Sequence, residues 1–217
     1  MKKILLVVPM ILALSACKID MASKMNFSDL TSETPKEVSG MITVEVPACN
    51  DYRDSRKESK SLTEAKTKIP GVFAGAKFKE CYTSNMKSLA VFDTVFHAGK
   101  VVDGNITQDV LFYGNENIGL GIAISESFKN KIKKSMDRLS LGVTKLNILV
   151  EVNNDSASDL KLIFLSSYVN FGDKKYTPII YSDLAVKKDS TFTVKLSDTS
   201  VDHLIENRAT ILAIRSQ

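Results

Sequence analysis

The sequence predicts an α+β domain made mostly of antiparallel sheet. Three observations carry this. Apolar residues alternate with period two in segment after segment, only two stretches have strong helical character, and most strands follow one another across short polar turns instead of regular crossover helices.

Ile42, Val44 and Val46 alternate with Met41, Thr43 and Glu45, a strand with one buried face that Pro47 ends. The stretch DSRKESKSLTEAKTKIPG, residues 54–71, has the charge density and helix formers of an exposed helix. Its apolar stripe is thin, Leu62, Ala65 and Ile69, and Pro70-Gly71 closes it. Strand character resumes over 76–83 and 88–97, where Leu89, Val91 and Val95 face one way and Phe92 and Phe96 the other. Ile118, Leu120, Ile122 and Ile124 then alternate with Gly119, Gly121 and Ala123, a strand whose second face is small enough to accept a closely packed helix or backbone.

The next segment, SESFKNKIKKSMDRL, is the best-defined helix. Phe128, Ile132, Met136 and Leu139 fall within about 80° of arc, and Lys129, Lys131, Lys133, Lys134 and Arg138 occupy the rest. Strands over 145–153 and 160–171 follow, joined by the polar turn NNDSAS. Residues 176–196 read as a further hairpin, and SVDHLIENRATILAI as a short helix and a last strand. Strand, helix, strand, strand thus recurs over 41–97 and 118–171, which predicts two tandem β-α-β-β units with two main helices.

The amino-terminal part reads differently. Lys2 and Lys3 precede an apolar run from Ile4 to Leu14, the pattern of a secretory signal; the run is interrupted by Pro9 and is too short to span a bilayer. It ends in Leu14-Ser15-Ala16-Cys17, which resembles the lipobox of bacterial lipoproteins. The resemblance covers about the first 20 residues and implies that residues 1–16 are a cleaved leader, that the Cys17 sulfur carries a diacylglyceryl group, and that its freed amino group is acylated, as with palmitate. The protein is then held at a membrane by its acyl chains, since stable attachment needs more than one chain. Lys18, standing where lipoproteins retained in the inner membrane carry Asp, favours the outer membrane, with the domain in the periplasm. Residues 17–40 are mostly polar and broken by Thr34-Pro35 and Ser39-Gly40, so they read as the acylated terminus and a flexible tether on the order of 25 Å long. The folded domain is read as 41–217.

Loss of the leader leaves 27 basic against 25 acidic residues. This near-balance supplies no clustered basic footprint, so no nucleic acid is expected as a partner. With Cys17 lipidated, Cys49 and Cys81 remain as an even pair in an oxidising compartment, and a disulfide between them is expected.

Residues for chemistry are few. His97 stands at a strand end, and His203 is three residues before Glu206 on one helix face, half of a metal site at best. The Gly-x-Ser-x-Gly elbow is absent. Gly114, Gly119 and Gly121 lie before and inside a strand, unlike a phosphate-cradling loop, and residues 153–159 lack the spacing of a calcium loop. No cofactor and no metal are therefore expected. The five cations Lys129, Lys131, Lys133, Lys134 and Arg138 have the composition to touch anionic lipid, and equally that of a solvated helix face. The expected function is a non-enzymatic envelope lipoprotein that binds another envelope protein or component. The alternatives are a small-ligand or lipid-binding module with a groove between the two units, and a hydrolase of cell wall or surface polymer.

Overall fold

The computed structural model describes residues 18–101, 106–138, 145–172 and 175–216. The elements in chain order are β1 (Lys18–Asn26), a 3-10 turn (Phe27–Thr31), β2 (Lys36–Val46), α1 (Lys60–Val72), β3 (Lys77–Ser84), β4 (Lys87–Ala98), β5 (Val110–Tyr113), β6 (Ile118–Ile124), α2 (Glu126–Arg138), β7 (Lys145–Asn153), β8 (Leu160–Phe171), β9 (Thr177–Val186), β10 (Thr191–Leu196), α3 (Asp198–Asn207) and β11 (Ala209–Arg215). The class is the predicted one: an α+β fold whose 11-stranded mixed sheet is mostly antiparallel, with three helices. Only β1–β7 and β4–β5 pair in parallel among the described residues.

The strand order β10-β7-β1-β2-β4-β5-β6-β11-β8 closes on itself, because β10 also pairs with β8. Nine strands thus form a hydrogen-bonded ring, with β3 added to β4 and β9 added to β8. Closure satisfies backbone groups that an open sheet leaves bare at its edges. Side chains pointing into the ring form one apolar core that includes Ile42, Phe92, Phe112, Leu120, Ile122, Val150, Phe164 and Phe192.

Ring closure depends on a bend in β8. Leu162–Phe164 pair with β11, whereas Ser167–Phe171 pair with β10. Between them Ser166 adopts a positive φ of 41°, and the inward positions shift from Leu162 and Phe164 to Ser167 and Val169. Phe164 and Phe171, which would be roughly 23 Å apart in a straight strand, meet edge to face at 6.2 Å. Helix α3 supports the corner, since the Ser200 hydroxyl donates to the Ser166 carbonyl at 2.8 Å. Its N-cap Ser197 accepts the Ser200 N–H, a type of interaction that stabilises a helix start by about 1 kcal/mol.

The predicted tether is corrected. Residues 18–26 are strand β1, Phe27 and Leu30 are buried, and β2 begins at Lys36, five residues before the predicted start. Met21, Ser23 and Met25 are buried at alternate positions, a period-two pattern carried by methionine and serine instead of β-branched residues. Gly40, read as a breaker, lies mid-strand beneath Phe96, where a Cβ would stand 2.6 Å from the ring.

Two pairing expectations are also corrected. Residues 177–186 and 191–196 do form strands, but they are not a hairpin: β9 and β10 each pair with β8. The order strand, helix, strand, strand does recur, yet β2, β4 and β3 are neighbours, while β11 separates β6 from β8 and β10 separates β7 from β8. Alternation identifies a strand with one buried face; it does not name the neighbour that takes its hydrogen bonds.

The helices follow their patterns. α1 buries Leu62, Ala65 and Ile69 and starts at Ser59, whose side chain accepts the Leu62 N–H. α2 buries Phe128 and Ile132, and Phe128 meets Phe73, just past α1, at 5.4 Å edge to face. On the face of small residues of β6, side chains fill the space over the glycines: Tyr113 covers Gly121 and Leu162 abuts Gly119.

The disulfide Cys49–Cys81 is present, with Cα atoms 5.6 Å apart. It fastens β3, which among the described residues pairs only with β4, to the segment entering α1, where the Cys49 carbonyl accepts the Ser59 N–H at 3.0 Å. Replacing both cysteines with alanine is expected to lower stability by about 3 to 4 kcal/mol in the chain-entropy picture, measured by urea unfolding with and without reductant. Met21→Ala is expected to cost about 2 to 4 kcal/mol as a core truncation; a tether residue would give no change in the same titration.

Candidate interaction surface

Where chemistry was anticipated, the side chains are spread apart. His97 sits on β4 and lines a half-open hollow of about 190 Å³ with Phe73, Thr94, Phe96, Asp109 and Phe128. His203 is on α3, where its Nδ1 lies 3.1 Å from the Asn207 amide nitrogen. The Glu206 carbonyl, meanwhile, accepts a hydrogen bond from Lys129 at 2.9 Å. Among the described residues, no group of three or more His, Cys, Asp or Glu side chains is placed to hold a metal ion.

The oxygen-rich segment 153–159 spends side chains on partners within the protein. Asn154, fully buried, donates to the carbonyls of Ser158, Val186 and Lys187 at 3.1 to 3.2 Å. Asp159 accepts from the Lys187 ammonium at 2.8 Å and the Lys188 N–H at 2.9 Å. Asp155 accepts the Ser28 N–H at 2.9 Å and the Ser28 hydroxyl, and so joins the turn after β1 to the turn after β7. The segment is not a hairpin turn, since β7 and β8 both pair with β10.

The lysine-rich face of α2 is less available than its sequence suggests. Lys131 pairs with Asp109 at 3.1 Å, and Lys129 is held by the Glu206 carbonyl. Lys133 and Lys134 are exposed, and Arg138 ends the helix. Cys17 and the leader lie outside the described residues.

A feature missed from the sequence is an aromatic and apolar corner on β8 and β9. Tyr176, Pro178 and Ile180 occupy alternate exposed positions, and Tyr168 stands opposite Pro178. Opposite the β8 bend the inward positions of β9 shift from Ile179 to Ser182, so Ile180 and Tyr181 both project outward, 88% and 66% exposed. Among the described residues, strand β9 pairs only with β8, and nothing pairs with its outer edge. The other added strand, β3, carries Lys77, Lys79 and Glu80 and a register shift between Phe78 and Glu80, features that discourage edge pairing. In β9 only Asp183 is charged. The signal available in the sequence was the juxtaposition of Ile180 and Tyr181, which breaks the alternation of TPIIYSDLAV.

These features define an α+β domain closed by a bent strand, with its clearest exposed apolar surface at the bend. The chain belongs to the family DUF7424, a domain of unknown function, whose family model matches residues 19–217. The match takes in nearly all of β1, in keeping with its place in the sheet. No curated protein matches the chain.

Asp155 supplies a test of how the turns are joined. Burial raises its pKa, but the Ser28 hydroxyl and N–H outweigh it, and the carboxyl is held below its ordinary value of 3.8. A depressed folded-state pKa contributes stability above the unfolded value and loses it as pH falls through the folded one. Asp155→Asn is therefore expected to lower stability by about 1 kcal/mol at neutral pH, with the gap from the unmodified protein closing below pH 3.8, as measured by urea unfolding across the acid range.

Proposed function

We propose that the protein is a non-enzymatic lipoprotein of a bacterial envelope, anchored through Cys17, whose domain binds another envelope protein at the β8–β9 corner. The anchor reading rests on Leu14-Ser15-Ala16-Cys17 and the cationic, apolar leader before it. Two observations agree with it: a disulfide joins the remaining cysteines, and no helix among the described residues is long and apolar enough to cross a membrane.

The observation that carries the binding reading is the exposed cluster of Tyr168, Tyr176, Ile180 and Tyr181. Tyrosine supplies a large contact area with few rotatable bonds and is enriched among residues that dominate protein interfaces. Self-pairing of β9 in antiparallel fashion would set Lys175 of one copy near Lys187 and Lys188 of the other, which disfavours a second copy as the occupant.

The small-ligand reading is second, supported by the hollow that Phe73, Phe96, His97 and Phe128 line. Its volume of about 190 Å³ is near that of cavities that take a single aromatic ring.

A photoreactive amino acid at position 180, with a control at Lys79 on β3, tests the proposal in the native envelope. The expected result is a crosslink to one envelope protein from position 180 and none from position 79. Equal labelling from both positions, or labelling of a second copy alone, would overturn it.

A further inference from the structure

The corrected position of β1 determines which end of the domain meets the bilayer if Cys17 is acylated. Leu146, Ile19, Val44, Ala90 and Cys81 form one row across five adjacent strands. Cys17 is two peptide links before Ile19 and so within about 8 Å of that row. The β3–β4 hairpin extends in the same direction. Its turn at Asn85-Met86 stands four to five residues past the row, on the order of 13 Å beyond it. A membrane reached by acyl chains on Cys17 therefore meets this hairpin.

The turn carries a second mark. Two-residue hairpin turns with both central residues at positive φ favour Asn followed by Gly. Here Asn85 has φ 49° and Met86 has φ 61°, so an unbranched apolar side chain occupies the position where glycine is the default, and it is 99% exposed. The backbone accepts a disfavoured conformation while the side chain gains no contact within the domain. Tyr82, one residue past the row, is also exposed, and tyrosine suits the boundary between lipid and water. Several cations at this end are paired: Lys18 with Asp20 at 3.1 Å, Lys87 with Glu45 at 2.9 Å, Lys145 with Asp198 at 3.4 Å, and, in the loop that leaves β2 here, Arg56 with Asp54 at 2.9 Å.

We infer that the β3–β4 hairpin is a membrane-contact element, with Met86 seated among lipid head groups beside the Cys17 anchor. The inference rests on the lipoprotein reading above. Contact is apolar and not charge-driven, so it holds on uncharged phosphatidylcholine and in high salt.

The chain contains no tryptophan, so a single tryptophan reports its own surroundings. Met86→Trp is compared with Glu116→Trp, which lies in the β5–β6 turn at the far end of the ring. Both are examined as acylated full protein in phosphatidylcholine vesicles brominated near the carbonyl end of the chains. Quenching at position 86 is expected to exceed that at 116 several-fold, with a blue-shifted emission, at low and high salt alike. Equal quenching in protein whose Cys17 is shown by mass to be acylated would overturn the inference and leave the anchor reading standing. Absence of acyl mass on Cys17 would overturn both. Met86→Gly is expected to raise the urea midpoint; a lowered midpoint would assign Met86 a structural role and overturn the inference.

Discussion

The architecture depends on one strand turning a corner. β8 gives the same edge first to β11 and then to β10, and it does so only because Ser166 takes a conformation that serine seldom adopts. Without that bend the sheet would stay open between β10 and β11, with two rows of unpaired backbone groups. The cost is local, whereas the return is spread over the ring. Phe164, Phe171 and Phe192 gather inside the bend, with centroid separations of 5.5 to 6.5 Å, and the Ser200 hydroxyl occupies the carbonyl freed there. The same bend turns Ile180 and Tyr181 outward on the neighbouring strand, so the feature that closes the core also creates the exposed corner.

Much of this was legible wherever burial and residue type agree. β6 and β7 present isoleucine, leucine and valine at alternate positions, and α2 presents Phe128 and Ile132 on one side. The cysteine pair was legible by counting once Cys17 was set aside. β1 was missed because its inward face is Met21, Ser23 and Met25, and neither methionine nor serine announces a strand. Gly40 misled because its need is tertiary: it makes room for a phenylalanine from a strand more than fifty residues away. Partners such as β1 and β7, more than a hundred residues apart, are selected by closure of the whole ring, which no local window contains.

The exposed corner was illegible for a related reason. Its members come from two strands, and only their register brings Tyr168 opposite Pro178. The lysines of α2 show the converse. They form a conspicuous arc on a helical wheel, yet Lys129 and Lys131 are held by groups from α3 and from the segment before β5. A charge run on one helix describes a surface only after its neighbours have taken their share.

Sulfur chemistry separates the methionines of this chain. Met21 and Met25 are sealed in the core at 2% and 5% exposure, while Met86 stands unshielded at the tip of its turn. Among the described methionines, of which Met41 is 40% exposed, an oxidant meeting the protein away from the membrane therefore reaches the Met86 thioether most readily and converts it to a polar sulfoxide. The fold would survive the change, because that side chain supports nothing around it. The hairpin would then end in a water-seeking group, and a methionine sulfoxide reductase would restore its greasy tip.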